Sequence, residues 1–277
     1  MKKIKNQLDN SEVENIFKVC YDNFILPDVI KVLDMHKDKI INESKEYNKY
    51  VPKKIGLYNL FSGFKKEEKE AIQRLYTEKM AKANAVGSFY YNVIKSNSPV
   101  CPFCGGAAAT ELDHFIPKTL YPQLCITPYN LIPICHICND NKRTKWSTNY
   151  LELPFNPYFD VMDEEWVECD IVFKKDVIVY YKFYIGVPNT NPLYQKYEAH
   201  FNAYRLDITL PGFCVTEISL AEIDHLNSYN IDKTKLLEDL ISTRDSCEAY
   251  DINSWKAALY RALVKQFKQY CLYLSFK

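Results

Sequence analysis

The chain has 277 residues, of which 47% are hydrophobic and 25% are charged, values that are ordinary for a globular protein with a sizeable core. Lysine plus arginine and aspartate plus glutamate both number 35, so the formal net charge is zero. This balance argues against a broadly basic nucleic-acid surface but leaves room for a local basic patch. The seven glycines are too few to favour a glycine-rich phosphate loop.

The amino-terminal residues are basic, and no apolar segment follows them, so we expect no secretory signal. No apolar run approaches the ~18 residues of a membrane span. The chain therefore predicts a cytoplasmic protein with no membrane partner. In that setting its ten cysteines are more often metal ligands or thiols than disulfides.

Residues 1–98 predict an amino-terminal helical region. Pro27 suits the first position of a helix, residues 48–64 predict a loop, and one long helix is expected from about Lys65 through Ile94. Residues 99–160 combine paired cysteines with many turn residues and predict a small domain held by a metal ion.

Residues 161–277 predict a β-hairpin followed by a helical region. The hairpin consists of two strand-like runs, WVECDIVF and VIVYYKFYI, with a turn near Asp176. Helical spacing follows from about Gln195, and the last helix is expected from about Trp255 to Tyr270.

Two C-x-x-C pairs, Cys101 with Cys104 and Cys135 with Cys138, predict a structural zinc site. Each pair places two thiolates on one side of a tight turn, and two such turns complete a tetrahedral site. Four sulfur ligands leave no open position for catalysis. The alternatives are four unrelated buried cysteines or redox-active pairs, and both require two matching spacings to coincide within 38 residues.

A second group of polar residues is interleaved with these cysteines. The segment ELDHFIPK contains Asp113 and His114, Asn130 follows in YNL, and Asn139 directly follows Cys138 in CHICNDNK. In order and spacing, this segment of about 60 residues resembles the HNH endonuclease family. The family pattern is a DH pair on a strand, a middle asparagine, and C-x-x-C-N-x-x-K opening a helix.

The resemblance implies a role for each matching residue. Asp113 would be the first ligand of a catalytic Mg²⁺ or Mn²⁺, and His114 the general base. Asn130 would brace the loop and fix the histidine ring. Asn139 would be the second metal ligand, at a position where the family often has histidine; neighbouring Asp140 and Asn141 remain alternatives. The implied fold is α+β: a ββα-metal core with zinc knuckles, embedded in a mostly α-helical chain with a small β-hairpin after the core.

These residue types suit phosphodiester hydrolysis. A histidine of near-neutral pKa can take a proton from water, and a hard divalent ion with oxygen ligands can stabilise the charge that develops on the phosphate. Adjacent residues on a strand point to opposite faces. Asp113 and His114 can therefore serve one site only if the strand is irregular, or if the metal ion and the attacking water lie on different sides of the scissile phosphate. The family resemblance implies the second arrangement.

Four basic residues near this segment are candidates for binding a phosphate backbone: Lys118, Lys142, Arg143 and Lys145. A solvated helix face explains Arg143 and Lys145 equally well. His136 is expected to be exposed, whereas His36, His200 and His225 are expected to be structural.

The leading hypothesis is a metal-dependent endonuclease that cleaves DNA. By resemblance, it would be an effector of a bacterial anti-phage or restriction system that acts beside an ATPase or sensor subunit. One alternative is an inert zinc-ribbon module that binds nucleic acid or protein. Another is a toxin nuclease that a partner protein controls.

Overall fold

The computed structural model describes residues 3–51, 62–144 and 146–277. The predicted loop at 48–64 therefore lies mostly outside the described residues, and so does Lys145. The chain forms two compact units. The first comprises Lys3–Pro102 and Ala108–Asp160, and the second comprises Phe103–Ala107 and Val161–Lys277.

Within the described residues of the first unit, four α-helices precede the first strand: α1 Val13–Tyr21, α2 Pro27–Tyr50, α3 Lys66–Thr77 and α4 Ser88–Lys95. The expected position of Pro27 is confirmed, because it is the first residue of α2, where its missing N–H costs no helical hydrogen bond. Short 3-10 helices lie at Asn10–Glu12, Pro122–Leu124, Pro128–Asn130 and Tyr150–Glu152.

The prediction of a single long helix from Lys65 is wrong, because the chain is not helical between α3 and α4. Asn84 adopts a positive φ of 62°, which a continuous helix does not allow. The Gly87 N–H then donates to the Lys79 carbonyl at 2.7 Å. A Cβ on Gly87 would lie 2.8 Å from that same oxygen, so this close approach requires glycine.

A short hairpin and a helix follow in the same unit. Strand β1 (Glu111–His114) pairs antiparallel with β2 (Leu131–Ile134), with Glu111 opposite Ile134 and His114 opposite Leu131. Helix α5 (His136–Lys142) begins two residues after β2. Leu112 and Leu131 belong to the same hydrophobic core as buried residues of α1, α2 and α3. The predicted regions 1–98 and 99–160 thus share one core.

The second unit contains the other hairpin, β3 (Val167–Lys174) and β4 (Val177–Ile185), which pair antiparallel. This hairpin was predicted from its β-branched and aromatic residues and is confirmed. Lys175 lies in the turn with a φ of 52°, and a β-bulge follows Val172. With the helices, the two small antiparallel sheets confirm a mixed α+β chain.

Six helices follow β4 in the second unit: α6 Tyr194–Ala203, α7 Leu206–Thr209, α8 Pro211–Ile231, α9 Lys233–Asp251, α10 Trp255–Lys265 and α11 Phe267–Leu274. The last predicted helix is divided at Gln266. The side chain of Gln266 pairs with β3 by accepting from the Ile171 N–H and donating to the Ile171 carbonyl, both at 2.8 Å. Among the described residues, no helix has the length and apolar character required to cross a membrane.

His200 on α6 is buried in the second unit, as its expected structural role requires. Its Nε2 lies 3.4 Å from the Phe103 carbonyl, and its ring packs edge-on against Tyr204 and Trp166. Burial lowers the pKa of His200 to about 3, and the Phe103 carbonyl acts in the opposite direction. The native protein therefore holds this imidazole neutral in mildly acidic solution.

The pKa of His200 is lower in the native protein than in the unfolded chain, and this difference predicts that acid destabilises the fold. The unfolded chain binds a proton at His200 below a pKa of about 6.5, whereas the native chain does not until about pH 3. The free energy of unfolding should fall as pH decreases through this window, by about 1.4 kcal/mol per pH unit from this group. Chemical denaturation between pH 6 and pH 4 should show a shallower slope for His200→Gln than for wild type. Equal slopes for the two proteins would contradict the low pKa of His200 in the native state.

Candidate functional site

The four predicted zinc ligands lie together in the structure. The sulfurs of Cys101, Cys104, Cys135 and Cys138 are all within 4.8 Å of one another, and all four side chains are buried. Sulfurs at the corners of a tetrahedral zinc site, with Zn–S bonds of about 2.3 Å, lie about 3.8 Å apart. The cluster can therefore hold a metal ion such as zinc.

Local backbone structure shapes both knuckles. Gly105, directly after the first pair, adopts a φ of 67°, a conformation that side chains rarely allow. Isolated β-bridge pairing between Val100 and Ala108 closes this loop. In the second knuckle, Cys135 caps α5, and its sulfur accepts a hydrogen bond from the Cys138 N–H at 3.5 Å. That donor stabilises a sulfur that carries negative charge, which suits a metal ligand.

Strand β1 divides its residues between two faces. Leu112 and His114 point into the core, and Glu111 and Asp113 are only partly buried on the other face. The opposite orientations expected for Asp113 and His114 are thus present in the burial pattern.

His114 lies at the end of β1 with only 4% of its surface exposed. Its Nε2 is 2.9 Å from the Cys125 carbonyl, and its ring contacts the Tyr76 ring edge-on at 4.4 Å. A carbonyl only accepts, so Nε2 carries the proton and Nδ1 carries the lone pair. Burial, assisted by Lys118, lowers the pKa of His114 well below its usual value. The near-neutral pKa expected of a general base is therefore not found, and the ring is neutral near pH 7.

Asn130 is fully buried where the loop after β1 returns to β2. Its Oδ1 accepts from the Ile116 N–H at 2.8 Å and the Tyr47 hydroxyl at 3.1 Å. Its Nδ2 donates to the Ile116 and Leu124 carbonyls, both at 3.1 Å. Leu124 directly precedes Cys125, whose carbonyl accepts from His114. Asn130 therefore ties together the loop that orients the histidine ring.

Asp113 and Lys142 form an ion pair between β1 and α5. Lys142 Nζ lies 2.5 Å from Asp113 Oδ2 and 2.9 Å from the His114 carbonyl. Lys142 is 1% exposed. A cation that is buried and bonded in this way cannot contact a phosphate backbone, so the substrate-binding role predicted for Lys142 does not fit the structure. Its position fits a structural role, in which it fixes Asp113 and the end of β1.

Asn139 on α5 also contacts β1. Its Nδ2 donates to Glu111 Oε2 at 2.6 Å, and Glu111 Oε1 lies 2.9 Å from His136 Nδ1. Hydrogen bonding from Asn139, and then from His136, lowers the pKa of Glu111. The prediction that His136 is exposed is confirmed, since its side chain is 80% accessible.

The remaining predicted basic residues differ in their surroundings. Lys118 is partly buried, and its ammonium lies 5.5 Å above the centre of the Tyr76 ring. Arg143 is exposed and directly follows α5, and its guanidinium lies 3.7 Å from the Asp140 carboxylate. An exposed ion pair of this kind contributes little to stability in water. Lys145 is outside the described residues. Of the predicted set, Lys118 and Arg143 are therefore the cations placed near solvent within the described segment.

Three residues of this site were not singled out from the sequence. Glu111 could have been found from strand alternation, since it lies two positions before Asp113 and so on the same face. Tyr76 contacts His114 and donates to the Leu112 carbonyl at 3.1 Å, and Tyr47 donates to Asn130. Both tyrosines come from distant helices, and no short-range pattern connects them to the motif.

No protein-family model matches the chain, and no solved structure matches it either. The chain is 27% identical over 181 residues to Protein ea31 of Escherichia phage lambda. The alignment covers 64% of this chain and 56% of the phage protein. The chain thus matches little more than half the length of this relative, whose name states no activity.

Proposed function

We propose that this protein is an HNH-type endonuclease that hydrolyses phosphodiester bonds in DNA with a single Mg²⁺ or Mn²⁺ ion. The observation that carries this proposal is the pair of contacts that hold α5 along the outer face of β1. Glu111 binds Asn139, and Asp113 binds Lys142, one helical turn further on. The two predicted metal ligands, Asp113 and Asn139, thereby share the side of the hairpin against which α5 lies.

The side-chain contacts favour Asn139 over Asp140 as the second ligand. Asn139 faces β1 through Glu111, whereas Asp140 is exposed and lies near Arg143, the residue that follows α5. Asp113 keeps one carboxylate oxygen beyond its bond to Lys142, and the Asn139 amide keeps its oxygen. Such hard oxygen donors suit Mg²⁺, which takes few protein ligands and retains several waters. Such an ion, held by Asp113 and Asn139, would supply positive charge to the phosphate and to the leaving oxygen.

His114 then acts as the general base. Its Nε2–H is fixed on the Cys125 carbonyl, so Nδ1 accepts the proton of the attacking water. Once Nδ1 has taken up the proton, the ring is positively charged. The Cys125 carbonyl accepts a stronger hydrogen bond from Nε2–H of this charged ring and so stabilises it. Asn130 keeps this carbonyl in place through its bond to Leu124. Lys118 supplies a positive charge close enough to act on the histidine, and this charge would attract a phosphate group.

The proposal predicts metal-dependent cleavage that requires His114. Purified protein should degrade plasmid DNA with Mg²⁺ or Mn²⁺ and lose activity when a chelator removes that ion while the cysteine-bound metal is retained. His114→Ala should lower the cleavage rate by about 100-fold or more. The matched control is His36→Gln, which changes another histidine of the same unit and should leave the rate unchanged.

Parallel reactions with single-stranded DNA and RNA determine the substrate. Equal cleavage by His114→Ala and wild type would remove the proposed mechanism. Folded protein that retains its cysteine-bound metal and cleaves no nucleic acid would favour the inert zinc-ribbon module. The anti-phage or restriction role and the ATPase or sensor partner stay predictions from the family resemblance.

A further inference from the structure

Glu111 connects two residues of α5 that lie on one face of that helix. Its carboxylate accepts from Asn139 Nδ2 at 2.6 Å through one oxygen and lies 2.9 Å from His136 Nδ1 through the other. His136 and Asn139 are three positions apart, so they are neighbours on the helix surface. Both oxygens of Glu111 are therefore engaged in holding the start of α5.

The chemistry of these groups fixes which end of the Asn139 amide faces Glu111. An ionised carboxylate only accepts hydrogen bonds, and the NH₂ group is the only donor of the amide. The amide oxygen, Oδ1, must then point away from Glu111. Without this bond, rotation about the terminal torsion of asparagine is broad and roughly two-fold, so oxygen and nitrogen exchange places readily.

The direction of Oδ1 matters because divalent cations such as Mg²⁺ bind amide oxygen and not amide nitrogen. Glu111 and Asp113 share one face of β1, and Lys142, which holds Asp113, lies three positions after Asn139 on α5. Asn139 consequently faces the strand surface that carries Asp113.

We propose that Glu111 is a positioning residue, which orients the Asn139 amide so that its oxygen, and not its nitrogen, is presented to the catalytic cation. This inference rests on the proposed function. It assigns Glu111 a role through Asn139 and no direct bond to the ion.

Mn²⁺ binding tests the inference without any measurement of cleavage. Electron paramagnetic resonance of unbound Mn²⁺ gives the Kd for the full-length protein with its cysteine site occupied. Glu111→Ala should raise the Kd about tenfold or more, as removal of residues that orient metal ligands typically does. Glu111→Gln should stay within about threefold of wild type, because its amide oxygen still accepts from Asn139. Glu70→Ala, which removes an exposed carboxylate of α3, is the matched control.

A double-mutant cycle separates positioning from direct ligation. In the Asn139→Ala background, Glu111→Ala should weaken Mn²⁺ binding no further, since there is no amide left to orient. Additive losses would overturn the inference and make Glu111 a ligand itself. An unchanged Kd in Glu111→Ala would also overturn it. Absence of Mn²⁺ binding by wild type would refute both this inference and the proposed function, whereas binding without cleavage would refute only the nuclease.

Discussion

Cys135→Ser should remove the bound metal and lower the free energy of unfolding by roughly 4 kcal/mol or more. Cys135 has two roles, as a member of the four-sulfur cluster and as the residue that caps α5. Serine is a favoured helix cap, so the substitution preserves that role. A neutral hydroxyl is a poor zinc ligand. The decrease in the free energy of unfolding therefore results from loss of the metal and not from loss of the helix cap.

Elemental analysis and chemical denaturation check this expectation together. Wild type should carry one zinc ion per chain, and Cys135→Ser should carry much less. Cys247→Ser is the control, because Cys247 is only partly buried and lies outside the cluster. It should retain zinc and change stability by less than about 1 kcal/mol. A wild-type protein without metal, or an unaltered stability of Cys135→Ser, would contradict the zinc assignment.

Asn130→Ala should cost about 4 kcal/mol of folding free energy and should also impair cleavage. The amide makes four hydrogen bonds, to Tyr47, Leu124 and both backbone groups of Ile116. Each buried partner left without a bond costs about 1–3 kcal/mol, and relaxation of the loop reduces the total. Because the loop also carries the carbonyl that orients His114, the rate of cleavage should fall even where the variant remains folded.

Asn253→Ala separates the two effects. Asn253 is also a buried asparagine; it accepts from the Trp166 N–H at 2.9 Å and donates to the Glu164 carbonyl at 2.8 Å. Its substitution should lower stability by a comparable mechanism in the second unit. At a temperature where both variants are folded, only Asn130→Ala should cleave slowly. Equal rates for the two variants would remove the link between Asn130 and the histidine.

The sequence predicted the features of this protein that depend on short spacings. The paired cysteines, the hairpin of β3 and β4 and the start of α2 at Pro27 all follow from local rules, and the structure has them. The alternation of Asp113 and His114 across β1 is likewise a property of any strand.

The features that the sequence did not predict depend on contacts between distant segments. The predicted long helix ends at Thr77 because Gly87 folds back onto Lys79, and the last helix is divided where Gln266 pairs with β3. Lys142 was expected to bind substrate because its charge and motif position suggest phosphate. Lys142 is buried against Asp113 because α5 packs beside β1, and this packing cannot be read from the motif.

Anomalous diffraction at the manganese edge, from a crystal of the protein grown with Mn²⁺, would show which side chains bind the proposed catalytic ion. We expect one strong peak on the side of β1 that faces α5, with oxygen atoms of Asp113 and Asn139 about 2.1 Å away. A peak bound by other side chains, or none at these two residues in well-diffracting crystals, would contradict the proposed metal site.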